Sequence, residues 1–130
     1  MFVWVDDIRP APEGLYWAKT YEDAIEYLEK YEIEGISLDH DMADEHYAAF
    51  NDGYHDYPEQ TGYEIALFMR ENEIWPEFVG VHSANPVGRK RIRSIFEDSE
   101  MYTHKPRVKI GRYGWIDGYV RKKEDRSQES

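Results

Sequence analysis

Short apolar runs recur along the chain, and each breaks off abruptly in polar residues. Phe2-Val3-Trp4-Val5 runs into Asp6-Asp7, Gly35-Ile36-Ser37-Leu38 into Asp39-His40-Asp41, and Phe78-Val79-Gly80-Val81 into His82-Ser83-Ala84-Asn85-Pro86. Runs of this length and character predict buried strands. Ile8-Arg9-Pro10-Ala11-Pro12-Glu13-Gly14 carries two prolines and a glycine and reads as a loop. Leu15-Tyr16-Trp17-Ala18 then supplies a further strand. Thr20 is placed as an N-cap with Asp23 after it, and Tyr21, Ala24, Ile25, Leu28 and Tyr31 follow at helical spacing up to Gly35. Thr61 caps a second helix with a buried stripe of Ile65, Ala66, Phe68 and Met69. Asn85 and Pro86 open a third, with Gly88, Ile92, Ile95 and Phe96 inward and a basic outer face. Residues 42–60 lose periodicity and read as a long loop, with or without one short helix.

Past Ser99 the pattern weakens. Met101-Tyr102-Thr103-His104 suits a strand before Lys105-Pro106, and 107–120 alternates apolar and polar positions around three glycines, as a hairpin does. Residues 121–130 form a charged tail. Strands alternating with helices predict an α/β domain on a mostly parallel sheet, in which ligands gather outside the carboxyl ends of the strands. All three polar clusters then share one rim.

Length and composition narrow this picture. A chain of 130 residues with 41% hydrophobic side chains has enough apolar material for one core and is expected to form one domain. Its longest apolar runs fall far short of the roughly 18 residues a membrane helix needs, and no basic leader precedes Phe2, which predicts a soluble, unprocessed, cytoplasmic protein with no membrane partner. The absence of cysteine excludes disulfides, thiolate nucleophiles and cysteine-bound zinc. The net charge of -11 is uneven: residues 1–60 hold 16 Asp/Glu and three Lys/Arg, whereas residues 86–123 hold four against 11. Either the excess acid serves solubility, or the molecule has a metal-attracting half and an anion-attracting half.

Asp6, Asp7, Asp39 and Asp41 would crowd one depression, and like charges at that range do not all stay ionised without a cation. Oxygen ligands favour a hard divalent ion, Mg2+ or Mn2+, which also holds phosphate. Individually, such aspartates also serve as loop caps. His82 is a candidate general acid or a structural hydrogen-bonding residue, and His40 carries the same two readings. Arg9 either clamps a phosphate oxygen or pairs with the acid beside it. Ser83, Asn85 and the free amides of a helix starting at Pro86 suit an anion.

Taken together, Val5 to Gly14, Ile36 to Asp41, Thr61 to Ala66 and Val81 to Gly88 resemble the cyclic-phosphate processing receiver domains, a divergent branch of the receiver domains of two-component signalling, over about residues 2–98. The resemblance implies a three-layer, flavodoxin-like fold. Between Asp7 and Leu15 there is too little chain for the usual first helix, and 107–120 forms a β-rich extension beyond a core of about 2–106. Carried over, the metal site falls on Asp6, Asp7 and Asp39, with Asp39 at the phospho-acceptor position, Ser83 at the hydroxyl position and Lys105 as candidate receiver lysine. His82 and Asn85 belong to the divergent branch.

Three functions follow as expectations. The first is a divalent-metal phosphoesterase acting on cyclic phosphate ends of RNA or on cyclic nucleotides, in which Asp41 or His40 orients water and His82 protonates the leaving oxygen. The second is a non-catalytic phosphate- or metal-binding signalling module. The third is an acidic interaction protein. Tyr102, Tyr113, Trp115 and Tyr119 are either base-stacking or packing residues.

Overall fold

The computed structural model describes residues 1–39, 62–83 and 86–122. Six strands form one sheet: β1 (Phe2–Val5), β2 (Tyr16–Ala18), β3 (Gly35–Leu38), β4 (Phe78–Val81), β5 (Tyr102–Ile110) and β6 (Gly114–Arg121). Among the described residues, three helices connect them: α1 (Tyr21–Lys30), α2 (Gly62–Glu71) and α3 (Pro86–Glu97). The three strands predicted from unbroken apolar runs have the expected bounds. The Thr20 side chain caps α1 by accepting from the Asp23 amide at 3.0 Å.

The sheet order is β2-β1-β3-β4-β6-β5. β1 pairs in parallel with both β2 and β3, and β3 with β4, so the bare loop from Asp7 to Leu15 returns the chain in the same direction without a helix. The connection after β1 leads to β2 on one side and the connection after β3 leads to β4 on the other, which makes the β1/β3 boundary the topological switch point. This is a receiver-like α/β fold with a mostly parallel core. β6 runs antiparallel to β4, and β5 lies outside it. The hairpin therefore completes the sheet, and β5 continues through Pro106 with a bulge between Lys105 and Val108.

Alternation decides the two faces. Val3, Val5, Ile36, Leu38, Val79 and Val81 join Ala24, Leu28, Ile65, Met69, Ile92 and Phe96, so all three helices pack on one face. The opposite face carries Trp4, with Ile110 and Ile116, packed against Leu15, Trp17, Phe78 and Tyr113. Its covering layer is the loop between β1 and β2 and the β5–β6 hairpin. None of the described helices is long and apolar enough to cross a membrane.

Candidate functional site

The polar rim begins one residue past each central strand. The amide of Asp6 donates to Ala18 O at 3.0 Å, that of Asp39 to Val5 O at 3.1 Å and that of His82 to Leu38 O at 3.0 Å. These bonds extend the ladders by one rung, so the sheet itself fixes the backbone of all three residues. Following Val5, Leu38 and Val81, which face the helices, their side chains turn to the loop-and-hairpin face. Asp6, Asp39 and His82 are each buried, and their potential ligand atoms lie within 4.8 Å of one another.

His82 is held from all sides. Its Nδ1 lies 2.6 Å from the Ser37 hydroxyl and its Nε2 lies 3.2 Å from Asp6 Oδ2. The imidazole stacks on Trp4 with centroids 3.7 Å apart and planes 8° from parallel. Ser37 serves either tautomer: its oxygen accepts from a protonated Nδ1, or its proton goes to a bare one. Burial pushes the imidazole below its ordinary pKa against the pull of Asp6, which favours the neutral ring.

Asp6 balances burial against donors. Burial alone would raise its pKa, but the hydrogen bond from His82 and the amides of Arg9 and Ile8, at 2.8 and 2.9 Å, outweigh it and hold the carboxyl low. Those two amides engage Oδ1, leaving Oδ2 toward His82 and the Arg9 guanidinium, whose Nε is 3.7 Å away. Arg9 Nη1 also donates to the Tyr113 hydroxyl at 2.7 Å and the His82 carbonyl at 3.3 Å, and the Tyr113 hydroxyl donates to that carbonyl at 3.0 Å. The tip of the β5–β6 hairpin is thereby fastened over the rim.

The structure thus brings Asp6, Asp39, His82 and Arg9 together, with Ser83 buried beside them, its carbonyl accepting from Arg89 at 3.3 Å. Of the two readings of Arg9, the pairing with the neighbouring acid is the one observed. The close group of three does not include Asp7, which is half-buried next to it; His82 stands in third place. Lys105 is exposed in the middle of β5, opposite Gly118 and separated from β4 by β6, so it does not reach this rim. His40, Asp41, Asn85, the 42–60 segment and the Thr61 cap lie outside the described residues. Tyr102 and Tyr119 are core residues, whereas Trp115 is exposed.

Ser37, Trp4 and Tyr113 complete the site without having been singled out for it. Ser37 did carry a signal, since a hydroxyl inside a buried apolar strand requires a partner. Trp4 reads as an ordinary strand aromatic until β4 places an imidazole against it.

Two carboxylates and an imidazole converging at this range are a donor set that could hold a divalent cation. The same atoms without one form a hydrogen-bonded Ser-His-Asp chain. Compared with known families, residues 1–98 match the family model described as the cyclic-phosphate processing receiver domain. No curated protein and no solved structure matches.

Proposed function

Because the chain belongs to the cyclic-phosphate processing receiver domain family, we propose that it is a metal-dependent phosphoesterase that opens cyclic phosphates at RNA ends or on nucleotides. The observation that carries this reading is the buried convergence of Asp6, Asp39 and His82 at the strand ends. These three would hold the ion. The imidazole in the set favours Mn2+ over Mg2+, because imidazole suits softer divalent ions than oxygen ligands do. When bound, such an ion supplies Lewis acidity toward a phosphate oxygen and lowers the pKa of water.

The chain's own groups do the rest. Ser37 and Trp4 fix the ring of His82, so that Nε2 faces Asp6. With Nδ1 committed to Ser37 and Nε2 facing Asp6, His82 acts as a ligand in this reading, and delivery of a proton to the leaving oxygen falls to His40, next in sequence to Asp39, or to solvent. Arg9, oriented by Asp6 and Tyr113, supplies fixed positive charge where negative charge grows on the phosphate. Ser83, Asn85 and the start of α3 add polar contacts for the phosphate, and Asp41 orients water.

The test is hydrolysis of a 2',3'-cyclic nucleotide by the full chain with Mn2+ or Mg2+. We expect activity that EDTA abolishes and that Asp39→Asn lowers by about a hundredfold or more, the scale of losing one key charge-stabilising group. A folded protein inert toward cyclic, mono- and diesters with either metal would overturn the proposal.

A further inference from the structure

The β5–β6 hairpin overhangs the rim. Its pairing with β4 ends at Val81 opposite Asp117, while β6 continues to Gly114 against β5 alone. On this overhang Trp115 is 56% exposed, with the Arg107 guanidinium 4.4 Å and Lys109 Nζ 5.9 Å from its ring centroid. Between the hairpin and the start of α3 lies a cavity of about 300 Å³, lined by Ser83, Arg89, Pro106, Tyr113, Trp115 and Asp117, and it opens directly beside His82. That volume is at the lower end of ordinary ligand sites.

Charge alone has a simpler explanation here, because cations on an edge strand such as β5 prevent sheet-to-sheet pairing. Edge protection does not account for a large exposed indole on the neighbouring strand, set among those cations and walling a cavity. Nor does it account for the placement: a protein of net charge -11 gathers 11 Lys/Arg against four Asp/Glu within residues 86–123, the stretch that builds α3 and the hairpin. An indole flanked by Arg and Lys suits a strand that offers both a flat base and a phosphate.

We infer that the β5–β6 hairpin is a binding platform for single-stranded nucleic acid, on which Trp115 stacks a base while Arg107 and Lys109 face the backbone phosphates. Binding rests on the hairpin alone. Only the direction of the strand, with its terminal phosphate toward Asp39, rests on the proposed phosphoesterase reading. Trp115, Arg107 and Lys109 all lie outside the 1–98 segment that the family model matches.

The experiment measures fluorescence anisotropy of a labelled single-stranded RNA about ten nucleotides long, ending in a plain 3'-hydroxyl so that it is no substrate, with the full chain in EDTA. We expect binding that weakens steeply between about 50 and 200 mM salt. Trp115→Ala should weaken it about tenfold and Trp115→Phe much less. The Arg107→Ala/Lys109→Ala pair should flatten the salt dependence by about one to two phosphate contacts. No binding at low salt, or binding indifferent to all these changes, overturns the inference. So does binding to phosphatidylserine vesicles in place of the RNA. A protein that hydrolyses a cyclic mononucleotide but ignores the strand defeats this inference and spares the phosphoesterase reading, whereas one that binds the strand and hydrolyses nothing does the reverse.

Discussion

Among the described residues, Ser37 is paired through its hydroxyl with His82. It lies inside β3, fully buried, on the face opposite the helices, and its hydroxyl is 2.6 Å from Nδ1. Ser37→Ala would leave that nitrogen without the side chain it faces and loosen the choice of tautomer. Loss of a buried partner costs about 1–3 kcal/mol, and loss of a group that orients a metal ligand lowers metal affinity by about ten- to a hundredfold. Both effects are expected, the first in a thermal melt with EDTA and the second by titration calorimetry with Mn2+. A lower melting temperature with unchanged Mn2+ affinity would reduce Ser37 to a packing residue. Gly80, paired with Ser37 across β3 and β4, is consistent with this role, since a Cβ there would sit 2.9 Å from the Ser37 hydroxyl oxygen.

Among the elements, α2 bears on the site most directly. Gly62 opens this helix, and a Cβ at that position would overlap the carbonyl oxygen of Asp39 while also crowding Ile92 of α3 at 3.2 Å. Backbone cannot swing aside as a side-chain end can, so Gly62→Ala must move either the end of β3 or the start of α2. We expect a loss of about 1–3 kcal/mol, typical of overpacking, together with weaker Mn2+ binding, because the displaced residue is itself a proposed ligand. Destabilisation with Mn2+ affinity intact would mean that α2 yields and β3 does not. The elements were largely legible in the sequence for a physical reason. A strand buried on both faces carries no charged residue and few polar ones, so its end is marked by the first strongly polar side chain, and those ends are where Asp6, Asp39 and His82 lie. The faces were less legible. That Trp4, Ser37 and His82 meet depends on the registers Trp4 opposite Ser37 and Ser37 opposite Gly80, which no local pattern encodes.

Over the whole molecule, the least legible feature was the return of the chain after α3. The alternation at 107–120 predicts a hairpin but not its partner, and nothing local says that β6 pairs antiparallel with β4 while β5 takes the edge. That choice removes Lys105 from the rim and brings Tyr113 onto it. It also makes the fold depend on residues beyond the 1–98 family match. Tyr102, Ile110, Ile116 and Tyr119 are all buried, and at about 1.5–3 kcal/mol for each large apolar side chain they contribute roughly 6–12 kcal/mol of gross burial, against which stands the entropy of ordering the hairpin. Without them β4 would become an open edge beside an uncovered core. A chain ended at Asp98 should therefore show no cooperative melt by circular dichroism and should elute as aggregate in size-exclusion chromatography, whereas one ended at Lys122 should fold. If the shorter chain melts cooperatively as a monomer, the hairpin is an appendage, and the edge of the sheet is not coupled to the rim through Tyr113 and Arg9.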